Sequence, residues 1–219
     1  MSTEQTTPPP SNPRFGFVIY PRFTLMDVVG PFEIFGRVPG AEALLVAERA
    51  GIVRTDLGVG VEAAASFDDC PELDALVVPG GPGQREQLDN AKLLDFLRQR
   101  APRARWITSV CTGSLLLGAA GLLEGYQASC HWAALDQLAQ YGATPVSERY
   151  VIDRDRASGG GVTAGIDFAL ALVGRVWGEP LARALALGLE YRPSPPFDGG
   201  HPSVESEPVV AAVRAALGR

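Results

Sequence analysis

The chain has 219 residues, 46% of them hydrophobic and 20% charged, and a formal net charge of −6. That length suits one α/β domain with a large core. The acidic balance and the lack of a Lys/Arg-rich run exclude nucleic-acid binding through a basic face.

Residues 1–13 are polar and carry Pro8-Pro9-Pro10. They lack the basic and apolar regions of a signal peptide and read as a disordered leader before a single domain over 14–219. Residues 15–20 form a buried strand, which Pro21 ends. Thr24 is placed to cap a helix over 25–29, which Gly30-Pro31 interrupts before 32–35 continue it. Residues 43–47 and 75–78 are further strands, the second running into Pro79-Gly80-Gly81-Pro82-Gly83. Leu93, Leu94 and Leu97 recur at helical spacing within 88–100.

A strand over 106–110 meets Cys111-Thr112-Gly113-Ser114 and then a helix over 115–120. A short strand at 128–130 and a helix over 132–141 follow. A hairpin begins at Tyr150 and turns at 153–156. Ser158-Gly159-Gly160-Gly161 leads into a long helix from Thr163 to Trp177. Pro180 starts another, reaching Tyr191, and 209–217 form a last helix behind Pro208. Strands alternate with helices and the central strands are continuously apolar, which indicates a parallel sheet covered on both faces. Sites in such sheets lie at the carboxyl ends of the strands. Cys111 and Gly80-Gly81 both follow strand ends, so their loops can meet.

Cys111 is the leading candidate. A cysteine between a strand and a helix stands at a nucleophile elbow, where free N–H groups and the helix dipole favour the thiolate. A buried cysteine is otherwise a small hydrophobe. Gly80 and Gly81 can offer bare N–H groups to developing negative charge, or form an ordinary turn. Asp27 lies in an apolar segment. It is either a buried acid with a raised pKa or an exposed capping residue. Thr112 can contact substrate or simply start the helix. His131 can assist the cysteine, but no acid beside it in sequence would orient it, so a structural role is favoured. Gly160 and Gly161 are candidates for a pocket wall or a hinge, and no Lys follows them in P-loop fashion.

Three cysteines (Cys70, Cys111 and Cys130) without a CxxC pair oppose a disulfide framework and fit the cytoplasm. Two scattered histidines, His131 and His201, do not suggest a metal site. No apolar stretch reaches membrane-spanning length without charges or Gly/Pro breaks.

Phe23-Thr24-Leu25-Met26-Asp27-Val28-Val29-Gly30-Pro31-Phe32-Glu33, Val77-Val78-Pro79-Gly80-Gly81-Pro82-Gly83 and Ser109-Val110-Cys111-Thr112-Gly113 together resemble the ThiJ/PfpI superfamily. Gly121-Leu122-Leu123, Ala128-Ser129-Cys130-His131-Trp132 and the segment from Gly159 to Asp167 extend the likeness over roughly 14–191. The resemblance implies a flavodoxin-like, class I glutamine amidotransferase-like three-layer sandwich with a mostly parallel central sheet. One branch of the superfamily hydrates isonitriles; another forms the N-terminal half of AraC-type regulators. An acidic chain ending at Arg219 and the Asp27, Cys111-Thr112 and 191–196 features point to the first branch. That branch implies a homodimer, a cysteine nucleophile with an acidic partner, and no cofactor. Glutaminase activity is disfavoured, because no late His-x-Glu element occurs.

The expected reaction has the Cys111 thiolate attack the isonitrile carbon while protonated Asp27 supplies a proton. Water then displaces sulfur from a thioimidate, with Gly81 and Thr112 positioning it. A fall of about two pKa units would raise thiolate content about 25-fold and cost roughly 6- to 10-fold in nucleophilicity. Positioning and proton transfer must therefore carry most of the catalysis. Three alternatives stay open, the first two being glyoxalase- or deglycase-like chemistry on small dicarbonyls and a cysteine redox sensor without turnover. A ligand-binding regulatory domain is a third.

Overall fold

Phe15, Phe17 and Val18 lie in a run with no solvent-facing side, and that run becomes the centre of the sheet. In the computed structural model, which describes residues 8–218, it forms β1 (Arg14–Val18). Helix α1 (Leu25–Phe35) and strand β2 (Glu42–Ala47) follow, then a small antiparallel hairpin of β3 (Gly51–Arg54) and β4 (Gly60–Ala63). Next come β5 (Ala65–Ser66), β6 (Ala75–Val78), the short α2 (Gln84–Gln87), α3 (Ala91–Arg100), β7 (Trp106–Val110) and α4 (Gly113–Ala119). Short strands β8 (Gln127–Ala128) and β9 (Thr144–Pro145) flank a 3-10 helix, Trp132–Tyr141. Strands β10 (Tyr150–Asp153) and β11 (Arg156–Gly159) precede α5 (Ala164–Trp177), α6 (Glu179–Gly188) and α7 (Glu207–Ala216).

The main sheet runs β10-β11-β7-β6-β1-β2-β5, parallel except for β10. Helices α1, α5 and α6 pack together on one face, and α2, α3 and α4 on the other. This is the expected three-layer α/β sandwich. Strands β2 and β5 are added on one side of β1 and β6 and β7 on the other, so the winding reverses between β1 and β6 and a crevice opens beyond their carboxyl ends. Register sets what meets there. Val78 pairs with Ser109 and Gly159 with Val110, so Gly80 and Cys111 leave neighbouring strands at the same level.

Helix α1 differs from expectation, because it runs unbroken through Gly30-Pro31. A proline inside a helix removes one N–H and crowds the preceding turn. Here the ring is accommodated by Gly165 of α5, where an added Cβ would lie 2.9 Å from Pro31 Cδ. Phe15 stacks on Phe35 at 4.6 Å, and Phe168 meets Phe35 edge-on at 5.8 Å, which clamps α1 between sheet and α5. Thr24 does not cap α1 with its side chain; its hydroxyl donates to Asp56 at 2.9 Å.

Other boundaries shift for local reasons. Helix α3 starts at Ala91 rather than at 88, because the Asn90 side chain accepts from the Lys92 and Leu93 N–H groups. The 132–141 helix is a 3-10 helix, and the short strand expected at 128–130 is Gln127–Ala128. Residues 1–7 of the expected leader lie outside the described residues. Within 8–13, the Pro8 carbonyl accepts from Arg105 and the Pro13 carbonyl from the Glu42 N–H. Among the described residues no helix is long and apolar enough to cross a membrane.

The α1–α5 crossing yields a test. Gly165→Val should destabilise the fold by about 1–3 kcal/mol through overpacking against Pro31, read as a lower midpoint in urea unfolding.

Candidate active site

Three segments converge on the crevice: the start of α1, the Gly80-Gly81 loop after β6, and the elbow after β7. Cys111 takes a left-handed conformation, φ +58°. For a residue with a Cβ this costs roughly 1–2 kcal/mol. The neighbouring chain over-determines it. The Cys111 N–H donates to the Gly159 carbonyl at 2.9 Å. Gly113 lets the chain pass against the end of β6, since a Cβ there would collide with the Val78 carbonyl.

Behind the elbow lies a buried serine network that the sequence reading missed. Ser114 donates to the Ser129 carbonyl at 2.6 Å, and its oxygen is 2.9 Å from that of Ser109. The Ser158 hydroxyl accepts from the Ser129 N–H at 2.8 Å. The only signal in the sequence was a pair of serines, Ser109 and Ser114, inside otherwise apolar runs.

Asp27 is fully buried. It lies on the core-facing stripe of α1 with Gly30, Pro31 and Ile34, at i+3, i+4 and i+7. Its Oδ2 accepts the Gly80 N–H at 2.8 Å. The approach requires glycine, because a Cβ on Gly80 would fall 3.0 Å from Oδ2 and 2.6 Å from Thr112 Oγ1. Burial pushes the Asp27 pKa up to about 7, against the opposing pull of the Gly80 N–H and the neighbouring Cys111 thiol. The thiol lies beside the carboxyl, but Oδ1 closes no hydrogen bond of ordinary geometry.

The sulfur departs from expectation. Burial raises the Cys111 pKa well above its usual value, the Asp27 charge adds to this, and the Thr112 N–H and hydroxyl pull it back only in part. Helix α4 has just seven residues, and its dipole does not overcome desolvation. The resting pair therefore keeps a thiol on Cys111, with the more readily titrated site on Asp27.

Thr112 is 5% exposed and accepts the Gly81 N–H at 3.2 Å. Thus Gly81, Thr112 and Cys111 form a chain of polar contacts ending on sulfur. The Gly80 and Gly81 N–H groups, expected as oxyanion donors, are engaged with Asp27 and Thr112 in this state. Cys111 and Thr112 open onto a cavity of about 680 Å³. One wall is polar, with Arg22 paired to Glu86 at 2.6 Å and Thr24 to Asp56.

His131 lines the same cavity. Its Nδ1 accepts the Ala133 N–H at 3.3 Å and its ring leans on Trp132, so it also caps the 3-10 helix. Gly160 and Gly161 line an adjoining cavity of about 480 Å³, not the one holding Cys111. The two cavities share His131 and Val162. Among the described residues no three His, Cys, Asp or Glu side chains gather as a metal set.

Residues 14–175 match the DJ-1/PfpI family model. The chain belongs to the DJ-1/PfpI family. It is 43% identical to the isonitrile hydratase of Pseudomonas putida over 201 residues, 92% of this chain and 88% of that protein. A ThiJ/PfpI family protein from Pseudomonas syringae shares its structure with a TM-score of 0.92 at 41% identity, covering 94% of this chain and 86% of the other. The HTH-type transcriptional regulator GbdR of Pseudomonas aeruginosa is 31% identical over 198 residues, but only 53% of the regulator is matched.

The buried acid makes stability pH-dependent. Its folded pKa of about 7 lies above the ordinary 3.8. The neutral acid's contribution is thus complete below pH about 4 and is lost as pH rises through about 7. Urea unfolding of wild type and Asp27→Asn from pH 4 to 8 should show the wild type losing about 4 kcal/mol relative to the variant, then levelling off.

Proposed function

We propose that this protein is an isonitrile hydratase, converting R–NC to an N-substituted formamide with Cys111 as nucleophile and Asp27 as proton carrier. Likeness to the Pseudomonas putida hydratase along nearly the whole of both chains carries the reading. The buried thiol–carboxyl pair, with Cys111 on the cavity wall and Asp27 buried beside it, supports it.

The isonitrile carbon holds a lone pair and must gain both a nucleophile and a proton. In the resting pair the proton to be moved is on sulfur. As Sγ bonds to the carbon, the Asp27 carboxylate takes the thiol proton and delivers it to the same carbon. The product is a thioimidate, R–N=CH–S–Cys111. Water then adds to that carbon, its proton passing through Asp27 while nitrogen is protonated. Collapse breaks the C–S bond, releases R–NH–CHO and returns a proton to sulfur. The Thr112 N–H and hydroxyl stabilise the sulfur as it leaves with its electron pair.

A thiol with a carboxylate and a thiolate with a carboxylic acid hold the same number of protons. They are two forms of one titration state of the coupled pair. Activity therefore belongs to the singly protonated pair. The homodimer expected from the family is part of this proposal. The exposed Met26 and Val29 on α1, beside Asp27, fit a subunit contact.

Purified protein should convert p-nitrophenyl isocyanide to the formamide, followed by absorbance and mass spectrometry. Cys111→Ala should give none above background, and Asp27→Asn should lose about 10²- to 10⁴-fold in kcat. Full turnover by folded Cys111→Ala would sink the mechanism. In the wild type, kcat/KM should climb about tenfold per pH unit on the acid side and flatten above pH about 7, as Asp27 ionises.

A further inference from the structure

Helix α7 is unlike the other helices of this fold. No residue of it is buried, although Val209, Val213 and Leu217 make an apolar stripe at i, i+4 and i+8. These three are 46%, 40% and 41% exposed, so the stripe is only partly covered. Yet Ala216, Leu217 and Gly218 line the cavity that holds Cys111, with Val162 as a further apolar lining residue.

What holds α7 there is polar and local. The Arg85 guanidinium donates to the Leu217 and Gly218 carbonyls at 3.0 and 3.2 Å. Those carbonyls end the helix, where a cation is favoured. Arg214 lies over the Trp132 ring at 5.1 Å. The connection from α6 passes through the exposed Gly199 and Gly200, both at positive φ. A helix without buried anchors, tied by a few surface contacts, belongs to the low-stability end of local opening.

We propose that α7 is a displaceable lid over Cys111, latched by Arg85, and that Ala216 and Leu217 contact the substituent of the isonitrile opposite Val162 and favour a large apolar group. The choice of isonitrile rests on the function proposed above; the lid itself does not. Polar groups on one wall and apolar ones on the lid give the substituent a single preferred side. Binding an apolar group under Leu217 would cover a side chain that is now 41% exposed.

Two measurements test this separately. Alkylation of Cys111 by iodoacetamide and by the bulky N-(1-pyrenyl)maleimide is read by peptide mapping. The same thiol meets both reagents, so their rate ratio reports access rather than thiol pKa. Arg85→Ala should shift that ratio toward the bulky reagent by about tenfold. An unchanged ratio overturns the lid. Secondly, Leu217→Ala should lower the kcat/KM preference for p-nitrophenyl over methyl isocyanide by about tenfold, carried in KM for the aryl substrate. An equal effect on both substrates, or none, overturns the contact. If the wild type hydrates no isonitrile, the function and the substituent contact fall together, while the alkylation ratio still decides the lid.

Discussion

The proton shared between Asp27 and Cys111 is the constraint on which the rest of the site depends. In water the carboxylate, with its pKa near 4, would be too weak a base to take the thiol proton and pass it to carbon. Burial alone would raise that pKa further. The Gly80 N–H on Oδ2 offsets part of the desolvation and leaves the pKa at about 7. An acid so poised can both accept and give. The surrounding architecture serves that balance. The Phe15–Phe35–Phe168 cluster and the Gly165–Pro31 contact fix α1 so that Asp27 faces inward. The β6–β7 register then brings Gly80 and Cys111 to one level.

Around this proton the chain breaks several local rules within a few residues. Cys111 is left-handed without being glycine, Asp27 Oδ1 is buried without a hydrogen bond of ordinary geometry, and a proline sits inside α1. Each is unfavourable alone. The first two meet where β6 and β7 end, as expected of a preorganised site, and the third holds the helix that carries Asp27. The serine network answers the same need, since Ser114 and Ser129 tie the elbow to its neighbours through buried hydrogen bonds.

Much of this was legible in the chain. Continuous apolar runs ending in Gly80-Gly81 and Cys111 located the sheet and two of its three active loops. The sharp elbow was implied by a strand and a helix with no room for a loop between them, but the left-handed backbone of Cys111 was not. Asp27 stood open between a buried and an exposed reading, because its partner glycine and the aromatic clamp lie far away in sequence. The passage of α1 through Pro31 was hidden for the same reason: Gly165, which accommodates the ring, belongs to another helix. The β3–β4 hairpin escaped because its strands are short, glycine-edged and largely exposed, and so show little apolar periodicity.

The sulfur was misread in an instructive way. A cysteine at a helix start suggests a preformed thiolate, but a dipole effect of about 0.3–1 kcal/mol at a short helix is small beside the desolvation of a buried anion. The chemistry also favours a retained proton. In the proposed reaction the isonitrile carbon acquires sulfur and hydrogen together, so a thiolate that had already released its proton to solvent would leave the carbon without one. On that proposal, a proton kept within the Cys111–Asp27 pair makes the nucleophile and the acid two halves of one group. The burial that raises both pKa values would thus store the proton that the proposed reaction needs, rather than work against it.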